Sequence, residues 1–310
     1  MKPILVVGSI NTDLYVKVPR MPRAGESMVV ESIQRSLGGK GANQALAIEK
    51  LEYPVHYVGM VGDDANGSYL RSKLLQYGIR SWELLSTSEA STGTAIILLE
   101  ESGENRILVA KGANDRIQKS HVDKYLVPNE YAAVLLQLEI PLDTVSYIIQ
   151  RSQECGIPII VDAGPAVKCD LGIFQGVEIL SPNQTEAQAL TGLSVDSVDE
   201  AKRACEFLRS KTGVNKIVLK MGGAGALVCE DDEFYTVEAF RVRVRDTTGA
   251  GDSFTAALSV GFASGWSLRD AVVYACMAGA ITVSREGIYD AMPTKKEVDD
   301  FRDRIASETR

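Results

Sequence analysis

The sequence has few of the residues that build zinc or disulfide sites. Only two of its 310 residues are histidines, and none of its five cysteines belongs to a Cys-x-x-Cys pair. A structural zinc site needs four closely spaced ligands, so we exclude one. The cysteines fall mostly in apolar segments, which predicts buried, reduced thiols and a cytoplasmic protein.

Long apolar runs and clusters of basic residues are also missing. A membrane helix needs about 20 apolar residues, and the longest runs here are far shorter. The first apolar run, Ile4–Val7, is typical of a strand rather than a signal sequence. Lys and Arg total 33 against 41 Asp and Glu, a net charge of -8, and the basic residues are scattered. We therefore expect neither a membrane nor a nucleic acid as a partner, and an anionic substrate must be bound by local groups.

Strand-like runs alternate with helical periodicities along most of the chain. Strands are predicted at residues 4–7, 55–61, 134–138, 157–161, 177–180 and 217–221, and helices at 41–51, 66–77, 142–155, 199–211 and 294–307. This rhythm predicts an α/β fold with a central, mostly parallel sheet flanked by helices. No linker divides the chain, so we expect a single domain over residues 1–310.

Two regions break the rhythm. Residues 14–18 and 27–36 alternate polar with apolar side chains, and Thr94–Glu100 is predicted to pair with Asn105–Ala110 across the turn at 102–104. We predict a small antiparallel sheet, with segments at about 13–37 and 94–110. It is either a lid that closes over a ligand and excludes water or an ordinary surface hairpin.

The motif at 246–254, Asp-Thr-Thr-Gly-Ala-Gly-Asp-Ser-Phe, precedes an apolar helical run. Gly249, Ala250 and Gly251 therefore fall at a helix start, where free amides and the helix dipole bind anions. Asp252 would repel a phosphate unless it faces the attacking hydroxyl group and accepts its proton. The motif indicates phosphoryl transfer to an alcohol, although an ordinary helix start would use the same residues.

A second glycine cluster, Leu-Gly-Gly-Lys-Gly-Ala-Asn-Gln-Ala at 37–45, also opens a helix. It lacks the spacing of a Walker A loop, but the backbone at Gly39 and Gly41 could approach a ligand closely. Lys40 and Asn43 offer donors to hydroxyl groups. Asn11 and Asp13, after the first strand, either bind vicinal sugar hydroxyls or cap a turn.

Two further motifs follow strands. Asn183 and Glu186 lie one turn apart at a helix start, where they could hold a hydrated magnesium ion or form a capping box. The stretch Lys-Met-Gly-Gly-Ala-Gly at 220–225 suits close packing against a nucleotide, or is a plain turn between strands.

Four of these motifs resemble, in order and spacing, those of the ribokinase-like (PfkB) carbohydrate kinases: Asn11-Thr12-Asp13, Gly38–Asn43, Asn183-x-x-Glu186 and Asp246–Asp252. The match spans essentially the whole chain. The residues of the 38–45 cluster are most similar to those of the family members that act on ribose. The same holds for Gly103-Glu104-Asn105-Arg106 and Gly112-Ala113-Asn114. The resemblance implies ATP-dependent transfer of a phosphoryl group to the 5-hydroxyl of D-ribose. Another sugar or a nucleoside, such as deoxyribose, fructose, pseudouridine or adenosine, is the alternative acceptor.

The resemblance also implies roles for individual residues. Asp252 would be the base, with negative charge met by the amides of Gly249, Ala250 and Gly251. The sugar would be bound by Asn11, Asp13, Gly39, Lys40, Gly41, Asn43 and Glu139. Mg-ATP would be positioned by Asn183 and Glu186, with nucleotide contacts from Lys220, Gly222, Gly223, Gly225, Gly251 and Cys276.

A monovalent cation, potassium, is implied beside the anion site. Its oxygen ligands would come from Asp246, Thr248, Thr282, Arg285, Gly287 and Ala291, of which Ala291 offers only its carbonyl. Family members are often dimers, so a homodimer is expected. Two other classes are weighed: a sugar-binding regulator without catalysis, which the intact 249–252 motif disfavours, and an NAD-linked dehydrogenase, whose Gly-x-Gly-x-x-Gly turn is missing after the first strand.

Overall fold

The computed structural model describes residues 1–79, 81–100 and 105–308. A nine-stranded sheet runs in the order β13-β12-β11-β10-β9-β8-β1-β4-β5. Its strands are β1 (Ile4–Val7), β4 (Val55–Gly62), β5 (Ser81–Thr87), β8 (Ala133–Leu136), β9 (Ile159–Asp162), β10 (Ile179–Ser181), β11 (Lys216–Lys220), β12 (Ala226–Glu230) and β13 (Glu233–Val237). Neighbouring strands are parallel across the sheet from β11 to β5, and β12 and β13 pair in antiparallel fashion. This arrangement confirms the predicted mostly parallel sheet.

Helices cover both faces of this sheet. They are α1 (Lys40–Lys50), α2 (Ala65–Tyr77), α3 (Lys119–Val122), α4 (Leu142–Glu154), α5 (Gln184–Thr191), α6 (Val198–Thr212), α7 (Ala250–Ala263), α8 (Leu268–Val283) and α9 (Lys295–Glu308). Side chains alternate between the faces of a strand, so in β1 Ile4 and Val6 join the core cluster under α1, α7 and α8, while Leu5 and Val7 join the one under α4 and α6. All four are fully buried. The predicted apolar runs are therefore strands with two covered faces.

The parallel strands deliver polar residues to one edge of the sheet. Strand β1 leads into Asn11, β8 into Glu139, β9 ends at Asp162 and β10 leads into Asn183. In a parallel sheet with crossover helices the carboxyl ends of strands lie together, and ligands bind there. The glycine-rich starts of α1 and α7 reach the same edge, as the contacts below show.

A second, four-stranded sheet has the order β3-β2-β6-β7, with β2 (Asn11–Val18), β3 (Ile33–Gly38), β6 (Thr94–Glu100) and β7 (Asn105–Ala110). Its two outer pairs are antiparallel as predicted, whereas the central pair, β2 with β6, is parallel. The long connection between these two strands runs through β3, α1, β4, α2 and β5, which gives the chain room to return in the same direction. The predicted turn at 102–104 lies outside the described residues. Strand β3 begins at Ile33, six residues later than predicted.

The described residues include no helix that is both long and apolar enough to cross a membrane. The five cysteines have no disulfide partner, as predicted.

Candidate active site

The start of α7 carries free backbone donors. Gly249 precedes the helix with a left-handed φ of 76°, which glycine adopts without strain. The Ala250 amide donates to the Thr247 carbonyl at 3.3 Å, and the Ser253 amide donates to the Gly249 carbonyl at 2.9 Å. Within the described chain, the amides of Gly249, Gly251 and Asp252 have no acceptor. Free amides at the positive end of a 14-residue helix are suited to bind an anion. The Asp252 amide is one of them, whereas the amide of Ala250, which the sequence predicts to take part, already has an acceptor.

The Asp252 carboxylate lies in the first turn of α7 and is only 6% exposed. Asn43 Nδ2 donates to its Oδ2 at 2.9 Å and Gln44 Nε2 donates to its Oδ1 at 3.0 Å. Burial raises the pKa of Asp252, and the Lys40 ammonium only partly opposes this effect. A carboxylate with a raised pKa is a stronger proton acceptor, as general-base catalysis requires.

Lys40, which the sequence predicts to contact the sugar, lies among three carboxylates. Its Nζ is 3.6 Å from Asp162, 3.9 Å from Asp252 and 4.0 Å from Glu186. Burial lowers the pKa of Lys40, but the surrounding carboxylates outweigh burial and raise it, so the side chain is charged. The ammonium thus stands between the candidate base and the residue predicted to position Mg-ATP.

Several buried oxygen atoms beside Asp252 lack partners. Asp13 Oδ1 and Asn43 Oδ1 have no hydrogen-bond partner among the described residues, and both side chains are buried. Burial, together with the charges of Glu139 and Asp252, raises the pKa of Asp13 to about 7. A buried polar atom without a partner is costly, and a ligand that carries hydroxyl groups would supply the missing donors.

Asn11 and Glu139, which the sequence also predicts to bind the sugar, are held by hydrogen bonds. Asn114 Nδ2 donates to Asn11 Oδ1 at 2.8 Å, which leaves the Asn11 amino group to donate elsewhere. The Ser9 hydroxyl donates to Glu139 Oε2, which also accepts from the Lys40 amide at 3.0 Å. Glu139 therefore fixes the start of α1 through one of its oxygens.

The glycines of the 37–45 cluster serve backbone packing. A Cβ atom added at Gly39, where φ is 92°, would lie 2.7 Å from Ile10 Cα, and one added at Gly41 would lie 2.6 Å from the Gly8 carbonyl carbon. Backbone packing therefore already requires glycine at both positions, and the approach of this backbone to a ligand stays a prediction. Both residues are small because α1 begins directly against the turn that follows β1.

The predicted nucleotide residues are used in different ways. Asn183 and Glu186 form the capping box that was the alternative, with bonds of 2.8 and 2.7 Å, and Glu186 Oε1 remains free to face Lys40. Burial raises the pKa of Glu186. The Lys220 ammonium turns inward and donates to Asp162 Oδ1 at 2.7 Å, so only the backbone of Lys220 is left for a nucleotide.

The other residues predicted to bind the nucleotide lie in the loop after β11, at the start of α7 and in α8. Gly222 and Gly223 are exposed, and added Cβ atoms at Gly222, Gly223 and Gly251 meet nothing within 4 Å. Gly225, with φ of 93°, instead packs against the backbone at 237–239. Cys276 is buried in α8, which packs against α7.

Asp246 links the two loops of the predicted cation site. Its carboxylate accepts from the Thr248 amide at 2.9 Å and from the Gly287 amide at 3.3 Å. The Thr282 carbonyl accepts from the Arg285 amide, while the Arg285 side chain pairs with Glu297. Ala291 is fully buried. No group of three or more His, Cys, Asp or Glu that could hold a metal ion occurs within residues 1–79, 81–100 and 105–308.

Sequence reasoning gave no role to Gln44 and Asp162, which contact the base or its neighbours. Gln44 lies inside the second glycine motif. Asp162 is the last residue of an apolar strand, and a charged residue at that place indicates a functional role.

Comparison with known proteins agrees with this geometry. The pfkB family carbohydrate kinase model matches residues 1–295. The chain is 34% identical to a ribokinase of Bacillus subtilis, over 97% of this chain and 99% of that protein, and 31% identical to a deoxyribokinase of Salmonella typhi, over 96% and 98%. The structure of Arabidopsis thaliana ribokinase complexed with ribose and ATP superposes with a TM-score of 0.89 and 32% identity, covering 96% of this chain and 98% of that one. The chain belongs to the pfkB family of carbohydrate kinases, phosphotransferases that act on an alcohol group.

Proposed function

We propose that this protein transfers the γ-phosphoryl group of ATP to the 5-hydroxyl of D-ribose. The observation that carries the proposal is the buried Asp252 carboxylate, which lies at a helix start rich in free amides and beside the unpartnered oxygens of Asp13 and Asn43. The ribokinases among the relatives, one of them solved with ribose and ATP, support ribose as the acceptor.

Asp252 would act as the general base. It accepts the proton of the 5-hydroxyl group as that oxygen bonds to the γ-phosphorus, and the bond from phosphorus to the β,γ-bridging oxygen breaks to release ADP. The amides of Gly249, Gly251 and Asp252 would stabilise the negative charge on the transferred group. Asn43 and Gln44 hold the carboxylate through hydrogen bonds, which leaves its orientation set before the sugar arrives.

The sugar would be bound by Asn11, Asp13 and Asn43. Asp13 Oδ1 and Asn43 Oδ1 accept from sugar hydroxyl groups, while the Asn11 amino group donates to one. The backbone at Gly39, Lys40 and Gly41 closes the subsite.

Magnesium would arrive with ATP. A magnesium ion in a protein usually keeps several water ligands and binds few protein groups. The free Oε1 of Glu186 is suited to accept a hydrogen bond from one of those waters. When bound, the ion neutralises phosphate charge. Asn183, the loop at 220–225, Gly251 and Cys276 would border the nucleotide, and Lys40 would balance the phosphate charge beside the base.

Potassium binding is proposed at the loops that Asp246 joins. The groups available there are carboxylate and carbonyl oxygens at Asp246, Thr248, Thr282, Arg285, Gly287 and Ala291, the hard donors that suit such an ion. This site lies just ahead of the amides at 249–252, so an ion here would strengthen the anion site.

We also propose a homodimer in the cytoplasm. The four-stranded sheet exposes apolar side chains, with Ile107, Leu108 and Val109 each more than half exposed. Exposed apolar strands at the edge of a sheet are a typical interaction surface. The unpaired cysteines support a reducing compartment.

A coupled assay for ADP release tests the proposal. The purified protein is given ATP, Mg²⁺ and, in turn, ribose, deoxyribose, fructose, adenosine and pseudouridine. We expect the highest kcat/KM with ribose. Deoxyribose is the second candidate, since two deoxyribokinases are 31% identical to this chain, and a higher kcat/KM with deoxyribose would reassign the substrate. Tight ribose binding with no turnover on any acceptor would instead indicate a sugar-binding regulator.

A further inference from the structure

A buried chain of hydrogen bonds leads from the nucleotide loop to the base. Lys220 Nζ donates to Asp162 Oδ1 at 2.7 Å, and Gln44 Nε2 donates both to Asp162 Oδ2 at 2.7 Å and to Asp252 Oδ1 at 3.0 Å. Asp162 and Gln44 are fully buried, and Lys220 is 9% exposed. The chain joins β11, β9, α1 and α7.

The orientation of the Gln44 amide follows from its neighbours. Two carboxylates face it, and ionised carboxylates only accept hydrogen bonds, so the amino group must point toward them. Its oxygen then needs a donor, which Gln137 Nε2 supplies at 2.6 Å. Both Gln44 hydrogens are committed, one to each carboxylate, and the side chain has no freedom to turn.

Asp162 has no direct access to a substrate, because it is fully buried behind Gln44. A buried ion pair adds little to stability compared with apolar residues of the same size, so its presence calls for another role. Here Asp162 Oδ1 accepts from Lys220, and Oδ2 accepts from Gln44 and lies 3.6 Å from Lys40 Nζ. Lys220 Nζ also lies 3.3 Å from Thr255 Oγ1, one turn after Asp252 on α7.

We propose that Gln44, Asp162 and Lys220 are positioning residues for Asp252, and that the Lys220 side chain acts inward on the base instead of outward on the nucleotide. The proposal rests on the proposed role of Asp252 as the base. Lys220 is the last residue of β11, directly before the proposed nucleotide loop, so its side chain ties the start of that loop to the carboxylate that accepts the proton.

Gln44→Met is the first test, because methionine keeps the length of the side chain and removes both donors. A misplaced base slows chemistry without weakening binding, so we expect kcat to fall about 10- to 100-fold while KM for ATP and the ribose Kd change less than about threefold. Unchanged kcat in a folded Gln44→Met protein would overturn the proposal.

A mutant cycle tests whether Gln44 acts through Asp252. In an Asp252→Ala background the carboxylate is gone, so Gln44→Met should lower the residual rate by less than about twofold. A merely structural role would lower the rate equally in both backgrounds, and that result would contradict the inference.

Lys220 is tested with a charge-neutral pair, because Lys220→Met alone removes the ammonium group closest to the buried Asp162 carboxylate, at 2.7 Å, and destabilises the fold. Asp162→Asn with Lys220→Met should lower kcat and leave KM for ATP nearly unchanged. A higher KM for ATP with normal kcat would assign Lys220 to the nucleotide and overturn this part. Lys216→Met on the same strand removes the ion pair with Glu178 and is the matched control, with normal kcat expected.

The proposed function and the positioning role of Gln44 can be disproved separately. If wild-type protein phosphorylates ribose and Asp252→Asn is inactive, the proposed function stands whatever Gln44→Met does. Loss of activity in Asp252→Asn with normal kcat in Gln44→Met would remove only the positioning role.

Discussion

Asn43 Nδ2 donates to Asp252 Oδ2 at 2.9 Å, across a sequence separation of 209 residues. One amide thus joins the start of α1 to the start of α7 and leaves its own oxygen, Asn43 Oδ1, buried and without a partner among the described residues. The two ends of this amide correspond to the two tasks that we propose for the site, holding the base and binding the acceptor.

Replacing Asn43 with alanine should therefore damage both tasks. A hydrogen bond to a charged group contributes about 1.5–3 kcal/mol, so we expect kcat/KM for ribose to fall roughly 10- to 100-fold. The loss should appear in both kcat and the ribose KM, with KM for ATP unchanged, as measured by steady-state kinetics. An effect confined to KM for ATP would place Asn43 outside the sugar subsite.

Ribose binding should release protons near neutral pH. The pKa of Asp13 is raised to about 7, and hydroxyl donors favour the ionised carboxylate, so binding lowers that pKa. Calorimetric titrations of ribose at pH 7 in two buffers with different ionisation enthalpies measure the release. Asp13→Asn should abolish it, and equal release from that variant would assign the proton to another group.

Asp13 should also make the ligand-free protein less stable at high pH. Its folded-state pKa of about 7 lies above its ordinary value of 3.8, so its favourable contribution is complete below pH 3.8 and is lost as pH rises through about 7. Asp13→Asn should raise Tm at pH 8 and raise it less at pH 5. Thermal melts of both proteins without sugar provide the measurement. A Tm difference between variant and wild type that is larger at pH 5 than at pH 8 would contradict the raised pKa of Asp13.

Gly38→Ala should displace Asp13. An added Cβ atom at Gly38 would collide with all three atoms of the Asp13 carboxyl group. Because this group sits at the end of a side chain, the fold can survive while ribose affinity falls, by about tenfold or more if one good hydrogen bond is lost. With Asp13→Ala already present, Gly38→Ala should cost little further affinity, and a large second loss would show that the glycine matters for another reason.

Leu108→Glu should break the proposed dimer. Leu108 is 62% exposed on β7, at the edge of the four-stranded sheet. A charge at a buried apolar interface is strongly unfavourable, so sedimentation should show a dimer for the wild type and a monomer for the variant. Val198→Glu, at a position 40% exposed on α6, is the control and should stay dimeric. A monomeric wild type would contradict the proposal directly.

Local patterns in the sequence predicted much of the fold. The apolar runs at 4–7 and 55–61, and the helical runs after both glycine motifs, are strands and helices in the structure because period and burial agree there. For Asn183 and Glu186 the capping box is present, and it uses Glu186 Oε2 and leaves Oε1 free, so the magnesium role stays a prediction that is compatible with the cap.

Long-range chemistry was beyond prediction from local patterns. Asp162 and Lys220 are 58 residues apart, and nothing near Lys220 in the sequence indicates that its ammonium turns inward. The glycine pattern at Gly39 and Gly41 does not show that their neighbours are Ile10 and Gly8, in a turn about 30 residues earlier. Such contacts depend on how α1 packs against β1, which a periodic pattern does not encode.

The most direct test of the account is single-turnover phosphoryl transfer to ribose by Asp252→Asn, with ribose binding measured on the same protein. Loss of a positioned general base should slow the transfer by roughly three or more powers of ten, while the ribose Kd stays within a few-fold of the wild-type value. A variant that transfers phosphate at a rate near that of the wild type would contradict the role of Asp252 and with it the proposed mechanism.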